Sequence, residues 1–153
     1  MKNNNELERF EKAINRRKEI EIEKENEKKR QEKQKQEAAK KEANEFFEKY
    51  KKLLIDDTIE NLLTQAENTY KNPPFIVNHD IKGDTIYNEL SRDFLSKIIK
   101  SKLKTFLPQK FIKSLVVSVE DTTRVYWKYN PERYVDEVDH TDISCLVYIN
   151  LCI

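Results

Sequence analysis

The chain has 153 residues, a net charge of +1 and equal 37% shares of charged and hydrophobic residues, and this apolar share lies below the roughly 45–50% of an ordinary globular domain, so part of it is expected to stay unpacked. Its one glycine, Gly83, excludes the glycine-spaced phosphate loops of P-loop and dinucleotide-binding proteins, and the near-zero net charge excludes a global field that would draw it to nucleic acid or an anionic membrane. The N-terminal MKNNNELERF lacks an apolar stretch and no run is long enough to span a bilayer, so a soluble protein of the cytoplasm or nucleus is expected.

Residues 6 to about 54 contain no proline or glycine and are dominated by Glu, Lys, Arg, Gln and Ala, all good helix formers, so a long helix is expected. Glu and Lys four apart recur as Glu8/Lys12, Glu25/Lys29, Glu37/Lys41, Glu45/Lys49 and Glu48/Lys52, each pair worth roughly 0.2–0.5 kcal/mol on an exposed helix. A two-chain coiled coil needs apolar a and d positions over about three or more heptads. Continuing the register of Leu7, Phe10 and Ile14 gives Arg17, Glu21, Lys24, Lys28, Gln31 and Lys35, so a solvated charged helix is favoured over a coiled coil. Near its end Ala39, Ala43, Phe46, Tyr50 and Leu53 share a face that should dock on a following domain. The chain thus divides into a charged helical arm, residues 1–54, and a small α+β domain, residues 55–153.

Asp57 with Glu60 forms a capping box that should open a second helix, with Ile59, Leu62, Leu63, Ala66 and Tyr70 on one face, ending before Pro73-Pro74. Residues 75 to 77 are a short strand candidate, followed by Asn78-His79-Asp80, which reads as a polar turn. Asp84 can cap a helix from Thr85 to about Phe106, ended by Pro108. Residues 114–120, 124–129 and 143–151 are rich in β-branched and aromatic residues and should be antiparallel strands. Cys145 and Cys152 would point to opposite faces of the last strand, which suits buried free thiols and neither a disulfide nor a metal pair. The abundance of Lys, Asn, Ile and Glu points to an AT-rich genome such as that of a large DNA virus or a protist.

Two groups of side chains are candidates for chemistry. Lys97, Lys100, Lys102, Lys104, Lys110 and Lys113, interleaved with Phe106 and Phe111, form a basic stretch of the kind that binds nucleic-acid backbones, and equally the solvent face of a surface helix. The segment 131–142 holds Glu132, Asp136, Glu137, Asp139, His140 and Asp142. Oxygen ligands with one imidazole suit a cation such as Fe(II), Mn or Mg. His140-x-Asp142 and Glu137-x-Asp139 each put two side chains on one face of a strand, whereas an acidic, solvated hairpin loop is the alternative without chemistry.

Residues 124–151, RVYWKYNPERYVDEVDHTDISCLVYINL, resemble the first part of the double-stranded β-helix of prolyl-hydroxylase-like 2-oxoglutarate/Fe(II) oxygenases, through Arg124, Tyr126, Tyr129, Pro131, Tyr134, Asp139 and Tyr148-Ile149-Asn150. The resemblance implies an oxygenase-type fold, Fe(II) and 2-oxoglutarate as cofactors, Asp139 as the carboxylate ligand, and Tyr129 and Tyr148 lining the 2-oxoglutarate pocket. The pattern's first histidine falls at Glu137, and a second register uses His140 and Asp142. The chain ends at Ile153, so the distal histidine and the basic residue that holds the cosubstrate have no positions. An incomplete oxygenase is therefore expected, inactive alone unless another chain completes it. The competing expectation is a structural or interaction protein, with no membrane contact, whose sheet edge closes on a second copy or a partner chain.

Overall fold

The computed structural model describes residues 3 to 152. The chain is α+β, with a long N-terminal helix preceding antiparallel strands gathered in small sheets. Helix α1 runs Asn4–Lys51, a π-helical turn Lys52–Asp57 follows, and α2 is Thr58–Glu67. Strand β1 (Phe75–Lys82), helix α3 (Glu89–Lys104), a 3-10 segment (Gln109–Ser114) and strands β2 (Leu115–Asp121), β3 (Arg124–Asn130), β4 (Val135–Asp142) and β5 (Ser144–Leu151) complete it. Among the described residues no helix is long and apolar enough to cross a membrane.

The chain separates into two compact units, divided between Ala38 and Ala39. This is earlier than the boundary expected at residue 54, because α1 already buries Ala39, Ala43, Phe46 and Phe47 in the core of the second unit. In the first unit every described residue is exposed. Its helix is sustained by propensity and by local pairs, Glu25 with Lys29 at 3.1 Å and Glu27 with Arg30. Lys49, expected to pair with Glu45, bonds Asp84 instead.

Helix α1 kinks at Tyr50 (φ −114°, ψ 16°). Asp84 explains the position of the kink: its Oδ2 accepts from Lys49 Nζ at 2.8 Å and from Tyr50 Oη at 2.7 Å, and its Oδ1 from the Thr85 N–H at 2.9 Å. Burial alone would push the Asp84 carboxyl up, but these bonds outweigh it and hold it below the usual range. Asp84 is therefore a clasp on α1 and does not cap α3, whose cap is Asn88, accepting from the Leu90 N–H at 2.9 Å. The capping box of Asp57 and Glu60 does not form either, since Asp57 is helical and the chain passes through it as a continuous coil. Leu63 and Tyr70, expected on the buried face of α2, are exposed, while Leu62 and Gln65 are buried.

The core lies between α3 and one face of a three-stranded sheet of order β1-β5-β2. Strand β5 alternates strictly, Cys145, Val147, Ile149 and Leu151 being buried and Ser144, Leu146, Tyr148 and Asn150 half-buried. The buried set shares one core cluster with Leu95, Ile99 and Leu103, which recur at four-residue spacing on α3. Cys145 is buried and its thiol is pushed up to about 11 by burial, whereas Cys152 is exposed, contrary to expectation, because it lies just past the strand.

Strand β1 extends through Asn78-His79-Asp80, the expected turn, because its alternation continues to Ile81 and pairs residue for residue with β5. Gln65 on α2 satisfies both backbone groups of Ile76, donating to its C=O at 2.9 Å and accepting from its N–H at 3.2 Å. A side chain thus stands in for a neighbouring strand on that edge. His79 is buried, with Nε2 2.7 Å from Thr58 Oγ1.

Ile149→Ala should cost about 2–5 kcal/mol in urea unfolding, and Val138→Ala on β4 within about 0.5 kcal/mol; equal costs would contradict this core. Burial holds the His79 ring below the ordinary histidine pKa, partly offset by Asp57. The unfolded chain therefore takes up this proton first as pH falls. The associated stability is complete above the unfolded value, about 6.5, and is lost as pH drops toward the folded one. Unfolding midpoints should fall from pH 7 to 5, and His79→Asn should remove that slope; an unchanged slope in the variant would contradict the assignment.

Candidate functional site at the hairpin junction

The β2–β5 ladder and the β3–β4 hairpin form one continuous register. Pairing runs from Leu115 opposite Leu151 to Asp121 opposite Cys145, and resumes unshifted at Arg124 opposite Asp142. Between them lies a polar root at Thr122, Thr123 and Ser144. The Thr122 N–H donates to the Ser144 C=O at 3.0 Å, the two side-chain hydroxyls are 2.7 Å apart, and Ser144 Oγ donates to the Thr122 C=O at 3.0 Å. Asp121 Oδ1 accepts from Thr85 Oγ1 at 2.9 Å and the Thr123 N–H at 3.1 Å. Burial would raise the Asp121 carboxyl, and these bonds reverse the direction and hold it low.

Beyond the root the hairpin and the face of the sheet that α3 leaves uncovered form a cleft of about 800 Å³. Asp80 and Lys82 line it from β1, Arg124 and Tyr126 from β3, Asp142 from β4 and Leu146 from β5. Two cations and two carboxylates make it polar and of mixed sign. Its Thr122 and Ser144 hydroxyls bond one another and backbone, with no histidine or carboxylate activating them, so the root is no nucleophile site.

The hairpin itself is two-faced. Arg124, Tyr126 and Lys128 stand opposite Asp142, His140 and Glu137, which makes one face charged. Val125, Trp127 and Tyr129 stand opposite Thr141, Val138 and Asp136, which makes the other face aromatic and apolar. That face is open to solvent: Trp127 is 63% exposed and Tyr129 58%, with Val125 and Val138 also exposed. Two-stranded hairpins have marginal stability in water without a packing surface, and exposed clusters of this composition mark contact sites.

The expected metal ligands all lie on β4, which is a strand and not a loop. The pairing skips Asp139, since Tyr126 faces His140 and Trp127 faces Val138, so Asp139 is the extra residue of a β-bulge. The bulge lets Asp139 Oδ2 meet His140 Nδ1 at 2.8 Å and Oδ1 approach Lys128 Nζ at 3.5 Å. These partners, His140 first, hold its carboxyl below the usual range. The His140 ring stacks on Tyr126, centroids 4.4 Å apart. Glu137 and Asp142 share the charged face but do not converge with Asp139 and His140. Among the described residues no three His, Cys, Asp or Glu side chains group so as to hold a metal ion. Tyr129 lies on the hairpin's apolar face, whereas Tyr148 lies at the centre of the other sheet, bonded by Asn150 Nδ2 at 2.8 Å.

The lysines divide between two elements. Lys97, Lys100, Lys102 and Lys104 are on α3, and Lys110 and Lys113 on the 3-10 segment. Lys97 and Lys40 both stand over the Phe94 ring, at 5.6 and 5.3 Å, in a shallow groove of about 430 Å³. Lys102 and Lys104 are exposed on α3, Lys100 is half-buried there, and Lys110 and Lys113 are exposed on the 3-10 segment. No protein-family model, curated protein or solved structure matches this chain.

Trp127 is the only tryptophan, so its fluorescence reports this face alone. In the isolated protein it should emit as a water-exposed indole and be quenched freely by acrylamide. Blue-shifted, protected emission at high dilution would contradict an open face.

Proposed function

We propose that this chain is an interaction protein, its α+β domain presenting the β3–β4 hairpin to an apolar strip on a partner protein. The observation that carries this reading is the exposed row Val125, Trp127 and Tyr129 with Val138 beside it. Large aromatic anchors supply most of the energy at protein interfaces, and a hairpin packed on neither face gains from being covered. The charged helix of residues 4–38 buries nothing of its own and suits a spacer.

The oxygenase reading treats the same hairpin as the start of a double-stranded β-helix, with Fe(II) at Glu137 and Asp139 or at His140 and Asp142, and 2-oxoglutarate beside Tyr129 and Tyr148. Its support is the sequence motif of residues 124–151, and the metal would need ligands beyond either pair. Binding to nucleic acid through the lysines of α3 is supported by their number alone.

Anaerobic calorimetric titration of Fe(II), with and without 2-oxoglutarate, separates the readings. An interaction protein should show no mutual tightening of the two ligands. Binding that tightens when both are present and is lost in Asp139→Ala would overturn the interaction reading and favour the oxygenase one.

A further inference from the structure

We infer that β2 is a self-association edge, on which a second copy of this chain adds its own β2 antiparallel, joining two three-stranded sheets into one. This goes beyond the interaction reading, since the surface is separate from the hairpin. Strand β2 has β5 along one edge and α3 across its core face. Which of its backbone groups point outward follows from the bonds at its two ends. The Cys152 N–H donates to the Ser114 C=O, and the Thr122 N–H to the Ser144 C=O, so the even-numbered residues of β2 bond β5. In an antiparallel ladder the odd-numbered residues then face away. Among the described residues, the Leu115 N–H is taken by the Ile112 C=O, which leaves the Leu115 C=O and both groups of Val117 and Val119 on the outer edge.

These free groups are self-complementary. With Val117 opposite Val117 across a two-fold axis, the Val117 pair exchanges both of its bonds. Each Val119 N–H then reaches the Leu115 C=O of the second copy, while the engaged Leu115 N–H is not needed. The same register sets the basic end of one strand, Lys113, against the acidic end of the other, Glu120 and Asp121. Shifting it by two residues would keep the backbone bonds but move Lys113 from its place opposite Asp121, so charge selects this register. Between the charged ends, Leu115, Val116, Val117 and Val119 carry no charge that would repel a like strand, which is the usual protection of an edge. A two-fold contact of this kind closes on itself and does not propagate. Its small area places the dimer among weak, reversible ones.

The test uses the full chain. Sedimentation velocity from low-micromolar to near-millimolar concentration should show a reversible monomer–dimer equilibrium. Isotope-filtered NMR on mixed labelled and unlabelled protein should give contacts between the Val119 amide and the second copy's Leu115. Val117→Pro removes an outward donor while sparing the even-numbered ladder with β5, and should yield a folded protein that stays monomeric throughout. Should that variant fail to fold, the filtered contacts in the unaltered chain decide. A chain monomeric at every concentration overturns the self-association edge and leaves the hairpin free for a different protein. A dimer whose contacts lie in residues 4–38 or in the hairpin, or a folded Val117→Pro dimer, also overturns it.

Discussion

The domain rests on the burial of one face of β5 against α3. Cys145, Val147, Ile149 and Leu151 are at most 4% exposed and share one core with Leu95, Ile99 and Leu103, and apolar burial of this kind stabilises by roughly 25 cal/mol per Å². One helical layer covers one side of the sheet. Leu146 and Tyr148 on the reverse side remain half-buried. The open cleft lies on this uncovered side, between the sheet and the charged face of the hairpin.

That helix is held to the domain at its C-terminal end. The row Ala39, Ala43 and Phe46 enters the core, and Asp84 takes Lys49 and Tyr50 just where the backbone departs from α-helical geometry. A π-helical turn then redirects the chain into α2, so that Thr58 meets His79 and Gln65 meets the edge of β1. Two polar contacts thereby align α2 with a strand that hydrophobic packing alone would leave free to slide.

Much of this was legible in the residues. β-Branched and aromatic content marked β2, β3 and β5, Pro108 marked the end of α3, and the shared apolar face of Ala39, Ala43, Phe46, Tyr50 and Leu53 marked the docking end of α1. The capping residues were not legible: Asp84 and Asp57 have the chemistry of caps, and tertiary partners at Lys49 and Tyr50 took Asp84 while helix continuity overrode Asp57. Residues 131–142 were read for their carboxylates, yet Val135 and Val138 extend them as a strand and a one-residue bulge turns Asp139 toward His140. A bulge leaves no pattern in composition, so the contacts of Asp139 with His140 and Lys128 could not be read from the spacing of Glu137, Asp139, His140 and Asp142. The apolar row of Val125, Trp127 and Tyr129 was visible as strand chemistry, but its exposure depends on the absence of an opposing layer, which no local pattern encodes.

Site-resolved amide hydrogen exchange on the dilute protein tests the one-sided domain most directly. Amides of β5 and α3 should exchange slowest, near the global unfolding limit, while those of β3 and β4 beyond the Thr122–Ser144 root exchange by local opening orders of magnitude faster. Protection in β3 and β4 equal to that of β5 would mean that the hairpin is packed into the core, and would contradict an open face offered to other chains.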